Sequence, residues 1–282
     1  MATAPDGVDQ SELTIVARRV LLDGLTALSA HLDAITVVGG QAVSLRTPSA
    51  AVASAAYTSD GDLSIDPQRL GDKPLVDEAL KAAGFALRQK NQPGLWVRSE
   101  KIDGQDIPVE LDILVGKTLA PTGKRSVKIA PHGHMSARWI EGLEVAVEDR
   151  SPLLVTSLDP TDTRAINVNV AGPSALLVAK AFKIWDRLKG AAARPDRVVD
   201  KDASDVLRIM MTTPAGHVAA TLATLTRSER VGAVAIEGLG YLRDLFGRPR
   251  SRGVEMAVRA LTGDIPEDRI RALAPAFVRA LP

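Results

Sequence analysis

From residue 10 the chain reads QSELTIVARRVLLDGLTALSAH, with Leu13, Val16, Val20, Leu21, Leu25 and Leu28 recurring mostly three or four apart. That spacing predicts an amphipathic helix over residues 10–31, with Ser11 and Glu12 near its start and Gly24 interrupting its stripe. ITVV follows as a short buried strand, then Gly39-Gly40 and a helix through QAVSLR. TPSAAVASAAYTS has small residues and no period and reads as a loop. DLSID is a strand with Leu63 and Ile65 on one side and Asp62 and Ser64 on the other. Residues 74–83 predict a short helix closed by Gly84. FALRQ, LWVRSEKI and IPVELDILVG are successive strands, with NQPG and DGQD as turns. Residues 117–150 mix Gly, Pro, His and basic residues without one pattern. From Pro173 the texture becomes helical: SALLVAKAFKIWDRL and KDASDVLRIMM are strong helices, and three or four more follow, broken by Pro214, the GRPRSRG turn and Pro266. The expected fold is α+β, a mixed sheet flanked by helices in the N-terminal half and an all-helical C-terminal half. The division falls near residues 165–173 and gives domains of 1–168 and 169–282.

Composition changes this picture little. Of 282 residues, 45% are hydrophobic but only 3% aromatic, so the core must rest on Leu, Val, Ile and Ala. With no cysteine, a disulfide scaffold, a thiolate metal site and a Cys nucleophile are all excluded. The opening MATAPDGVDQSEL is acidic where a signal peptide is basic, and no apolar run is long enough to span a membrane. A cytoplasmic location is the expectation. Charge is more informative in its distribution than in its net of +1. Residues 1–177 carry an acidic excess and residues 178–282 a basic one. This suits a cation-gathering first part and a second part that meets a polyanion, although solvated helix faces account equally well for the basic residues.

Three features carry chemistry. A strand, then Gly39-Gly40, then a helix brings free backbone N–H groups close to a ligand, as a phosphate site requires. Asp60-Gly61-Asp62 leads into a strand, where residues two apart point to one side and can share a divalent ion. In IPVELDILVG, Val109, Leu111 and Ile113 line one face while Glu110 and Asp112 share the other. An acid set in so apolar a strand is costly unless it is paired or binds metal. His132 and His134 stand two apart in a Pro-Gly loop that reads as surface, with no further soft ligand nearby for zinc. His31 and His217 are isolated.

VVGGQAV, TSDGDLSI and VELDILVG together resemble the nucleotidyltransferase superfamily that includes DNA polymerase β. LLVAKAFKIWDRLKG and RVVDKDASDVLRIM are similar to the K…R…(R/K)-D-x-x-D-L pattern of AbiEii-type toxins, a group that includes the mycobacterial MenT proteins. The resemblance spans roughly residues 35–210. It implies that Asp60, Asp62 and Asp112 hold Mg2+ or Mn2+, that Gly39 and Gly40 approach the nucleotide, and that Lys180, Arg187, Asp202 and Asp205 fill the second motif. Lys180 would neutralise triphosphate charge, and Asp202 would orient it or take part in proton transfer. Spacing alone does not separate Lys180 from Lys183 or Asp202 from Asp205. Two departures stand out. Nineteen residues separate Gly40 from Asp60, and Ala56 occupies a position where many relatives carry arginine, a role for which Arg46 is the substitute to consider.

The expected activity is a toxin-like transfer of nucleotides from NTP to RNA, at the 3′ end of tRNA, blocking translation. Arg243, Arg248, Arg250, Arg252 and Arg259 are candidates for the RNA surface. A cognate antitoxin partner follows from the resemblance alone. A phosphoryl group on Thr58 or Ser59 would place a dianion beside the metal-binding acids. The competing expectations are transfer to a small molecule or protein side chain, and an inactive binding protein on the same fold.

Overall fold

The computed structural model describes residues 9–48 and 58–282. The acidic start, residues 1–8, and the centre of the small-residue loop, residues 49–57 with Ala56, lie outside the described residues. The chain divides into two compact units. Unit 1 spans Met1–Ala42, Tyr57–Ile140 and Arg150–Ala171, and unit 2 spans Val43–Ala56, Glu141–Asp149 and Gly172–Pro282, each through its described residues. Unit 2 is therefore drawn from more of the chain than the C-terminal half expected from the sequence.

Unit 1 is built on one mixed sheet. Its strands are β1 (Ile35–Val38), β2 (Asp60–Ile65), β3 (Ala86–Leu87), β4 (Leu95–Ile102), β5 (Gln105–Gly116), β6 (Arg138–Ile140), β7 (Arg150–Thr156) and β8 (Ala165–Ala171). They lie in the order β3-β4-β5-β2-β1-β8-β7, with β6 on β5. The α+β expectation holds, with a mixed sheet in the N-terminal half and helices in the C-terminal half. Helix α1 (Gln10–Ala27) lays its stripe on β2 and β5. Gly24, which interrupts the stripe in sequence, has a packing reason: a Cβ there would come within 2.5 Å of Leu111 Cδ2. The helix stops at Ala27, and Ser29–Ala34 tighten into a 3-10 turn before β1. FALRQ yields only the two-residue β3.

The β7–β8 hairpin over Arg150–Ala171 is not evident in the hydrophobic pattern. In β8 the exposed and half-exposed positions include Asn167 and Asn169, and in β7 Leu154 is exposed, so neither strand alternates cleanly.

Unit 2 holds α4 (Pro173–Lys189), α5 (Lys201–Thr212), α6 (Ala215–Leu225), α7 (Gly232–Phe246), α8 (Arg252–Ala260) and α9 (Glu267–Arg279). The two shorter helices of the N-terminal half are α2 (Gly39–Arg46) and α3 (Val76–Ala82). In unit 2, α4 packs on α5 and α7, and α5 packs on α8 and α9. Leu176, Leu177, Ala181, Val206, Leu207, Leu242 and Phe246 are among its buried side chains. Asp149 caps α4: its Oδ2 accepts from the Ala175 N–H at 2.7 Å. Burial raises the Asp149 carboxyl above its ordinary value against the pull of that bond and of Arg46. Arg46 is half-buried in the field of this same acid.

Candidate functional site

The glycine turn and the D-x-D acids meet in unit 1. Strand β1 is buried throughout, and α2 begins at Gly39 with no residue between. Gly39 has φ +66, the left-handed region that favours glycine. Val38 pairs with Asp62 across the antiparallel β1–β2 ladder. A Cβ on Gly39 would lie 1.9 Å from Asp62 Oδ2, so the carboxylate occupies the space that a side chain would need.

The third acid stands next in line. Strand β5 runs parallel to β2 in a register that pairs Asp60 with Glu110 and Asp62 with Asp112. Paired residues of adjacent strands stand about 4.8 Å apart on one face. Since Gly61 and Leu111 face α1, the four acids share the opposite face. Asp112 is buried, and Asp60 and Asp62 are half-buried. Like charges side by side on a sheet are unfavourable, and two arginines offset them. Arg138 on β6 pairs with Asp112, and Arg88 with Glu110. The Thr58 hydroxyl donates to Asp60 Oδ1 at 2.8 Å.

These residues suit a hard divalent ion in donor type and strand position. Their side chains are not converged on one point, because Asp112 turns to Arg138 and Asp60 to Thr58. Among the described residues, no group of three or more His, Cys, Asp or Glu side chains forms a metal cluster.

The Lys–Asp motif forms a second cluster within unit 2. Lys180 Nζ donates to Asp202 Oδ1 at 2.9 Å and to Asp205 Oδ2 at 2.6 Å. Lys183 reaches Asp202 at 3.1 Å, Arg187 grips its other oxygen, and Lys201 stands 3.6 Å from Asp205. Positions 180, 183 and 187 share one face of α4, and 202 and 205 one face of α5. Four cations thus surround two carboxylates. Burial alone would push the Lys180 ammonium down, yet Asp202 and Asp205 hold it well above the usual lysine range. Burial would likewise raise Asp202, but Lys180, Lys183 and Arg187 hold its carboxyl far below the usual range. Both lysines touch Asp202, and Lys180 also reaches Asp205; the lysine side chains are 7% and 42% exposed. Lys180 is the structural centre of the cluster, and Lys183 is its reachable charge.

The histidines depart from expectation. His132 is buried, not a surface residue, and its partner is His31 rather than the exposed His134. The two rings meet edge to face at 5.8 Å. His132 Nδ1 accepts from the Val76 N–H at 3.2 Å and Nε2 donates to Gly71 O at 3.0 Å. Both ring nitrogens are committed, which leaves no lone pair for a metal.

Arg18, an unremarked position of the α1 pattern, is buried. Its Nε donates to Gln41 Oε1 at 2.8 Å and its Nη1 to Thr156 O at 3.0 Å. It therefore ties the first turn of α2 to α1 and to the end of β7. A cation on the polar side of a helix carries no sequence signal for this; only the approach of Gln41 reveals it. Arg138 was equally illegible, because it sits in a three-residue strand.

No family model matches the sequence, and neither a curated protein nor a solved structure matches it.

Proposed function

We propose that this protein transfers a nucleotide from an NTP to RNA, with the 3′ end of tRNA as acceptor, and so acts as a toxin-like inhibitor of translation. One observation carries the reading. Asp62 and Asp112 stand side by side on β2 and β5, against the Gly39 start of α2, with Asp60 two residues along the same face.

In this reading Asp60, Asp62 and Asp112 would hold Mg2+ or Mn2+, which when bound supplies charge neutralisation on the phosphates. The N–H groups at the Gly39-Gly40 start of α2 attract phosphate oxygens. Arg138 offsets the repulsion between Asp62 and Asp112 and holds Asp112 in place. Within unit 2, the ion pairs of Asp202 support its role as the residue that orients Lys180. A carboxyl so strongly acidic is a poor proton acceptor, so proton transfer is assigned elsewhere. Lys183, 42% exposed, carries the charge that a polyanion can reach, while Arg187 holds Asp202. A cytoplasmic location and an antitoxin partner belong to the same proposal. No helix among the described residues is long and apolar enough to cross a membrane.

The test is to incubate the purified protein with Mg2+, total tRNA and each NTP radiolabelled at its α-phosphate, beside Asp60→Ala. The expected result is label in tRNA with one NTP, absent in the variant. No label with any NTP would overturn the RNA reading. The pairing of Asp112 with Arg138 favours one alternative, an inactive binding protein on this fold. Calorimetry that finds no Mg2+-dependent NTP binding would favour that alternative.

A further inference from the structure

Of the five arginines that the sequence offers as an RNA surface, two have other tasks. Arg259 holds Asp200 through Nε at 2.9 Å and Nη2 at 2.7 Å, and Arg243 donates to the Pro282 carbonyl. Arg248, Arg250 and Arg252 have no ion-pair partner among the described residues, and all three are exposed. They occupy the turn between α7 and α8 and line, with Asp244, Pro249 and Ser251, an open hollow of about 620 Å3.

We propose that this α7–α8 turn is the docking surface for the phosphate backbone of RNA, with Arg248, Arg250 and Arg252 as its contacts. The inference rests on the RNA reading above and assigns that reading its binding element.

Three observations carry it. First, the turn is built rather than loose. Ser251 Oγ lies 2.6 Å from Leu245 O and 2.9 Å from Arg248 O, and the Ser251 N–H donates to Arg248 O at 3.1 Å. A fixed backbone presents the guanidinium groups at low entropic cost. Second, the charge has the wrong sign for its place. Arg250 and Arg252 flank the start of α8, the positive end of its dipole, where cations are unfavourable and an anion is favoured. The acid of that turn, Glu255, is gripped by Arg271 at both oxygens, at 2.7 and 3.0 Å, and feels Arg250 only through a weaker charge interaction. Third, the lining is of the kind that grips phosphate. Its rim carries three planar forks that match phosphate oxygens in pairs, against the single carboxylate of Asp244.

The test is binding of fluorescein-labelled total tRNA, followed by anisotropy between 50 and 300 mM KCl. Wild type is compared with the triple variant Arg248→Ala/Arg250→Ala/Arg252→Ala, the triple Lys variant and Arg259→Ala, all with matching thermal melts. The Ala triple is expected to bind at least about tenfold more weakly at 100 mM salt and to lose roughly two units of the slope of log K against log salt. The Lys triple retains most of the slope, and Arg259→Ala changes neither. An unchanged slope in the Ala triple, with tRNA bound and labelled normally, would overturn the docking surface and leave the transferase reading intact. Absence of tRNA binding by wild type would remove both. Equal, arginine-dependent binding of poly-glutamate would reassign the turn to an acidic protein.

Discussion

Asp62 fills the space that a side chain on Gly39 would need: a Cβ there would lie 1.9 Å from Asp62 Oδ2. Gly39 also has φ +66, so Gly39→Ala combines strain with collision. Gly84, at φ +84 with nothing within 4 Å of its would-be Cβ, isolates the strain. Gly84→Ala is expected to cost about 1–2 kcal/mol in urea melts. Gly39→Ala should cost clearly more and abolish Mg2+-dependent nucleotidyl transfer, because Asp62 must move.

Removing Lys180 leaves buried Asp205 with only Lys201 at 3.6 Å, while Asp202 keeps Lys183 and Arg187. Lys180→Met is expected to destabilise by about 3–5 kcal/mol, the range for breaking a buried ion pair from one side. Lys183→Ala, at an exposed partner of the same Asp202, should cost less than about 1 kcal/mol. Equal effects in urea melts would mean that the cluster is more open than the geometry here.

The pH dependence follows from opposite shifts. Asp202 is held below its ordinary 3.8, so the unfolded chain binds that proton more readily, and the stability it confers is lost as pH falls below about 4. His132 is pushed below 6.5 by burial, with Gly71 O, Asp72 and Asp77 opposing and His31 assisting. Below pH 6.5 the unfolded state therefore takes the proton first, and stability falls as pH falls. A decline in melting temperature from pH 7 to 5.5 is expected in wild type and should flatten in His132→Gln. The Asp202 loss should begin only in stronger acid and persist in that variant.

Arg138 neutralises Asp112 beside Asp62. With Arg138→Gln the two carboxylates repel without relief, so added Mg2+ should raise the melting temperature more in the variant than in wild type. A smaller Mg2+ response would instead make Arg138 the residue that places Asp112 for the ion.

Arg18 satisfies Gln41 Oε1 and Thr156 O at once. Arg18→Met removes the donor from buried Gln41 Oε1, for which about 1–3 kcal/mol of destabilisation is expected, while Thr156 O, on an exposed residue, loses little. Hydrogen exchange should report faster opening at the start of α2.

The face of the sheet that bears the acids was legible because alternation in DLSI and VELDI is strict, and period-two patterning states which residues share a side. The proximity of Gly39 to Asp62 was legible only as two motifs; their register depends on the β1–β2 pairing, which no local pattern encodes. Burial of Lys180 against Asp205 was undecidable, because Lys180–Asp202 and Lys183–Asp205 have the same sequence separation and rotation of α4 about its axis chooses between them. The β7–β8 hairpin escaped because its outward positions include Leu154 as well as asparagines. His132 escaped because a Pro-Gly context predicts surface, while its burial depends on His31 and on the carbonyl of Gly71, both distant in sequence.

Unit 2 closes around pieces of chain that come early in synthesis. Arg208 of α5, buried, donates from Nε to Thr47 Oγ1 at 2.6 Å and from Nη2 to Thr47 O at 3.0 Å, and α4 is capped by Asp149. A ribosome that has finished Asp149 has made the anchor points for helices it has yet to translate. Residues 172–282 alone would lack the Thr47 oxygens that Arg208 holds and the Asp149 carboxylate that caps α4, so the helical half is not a self-contained cassette. A transplant of unit 2 must therefore carry its early segments, with Thr47 and Asp149, as well as its helices.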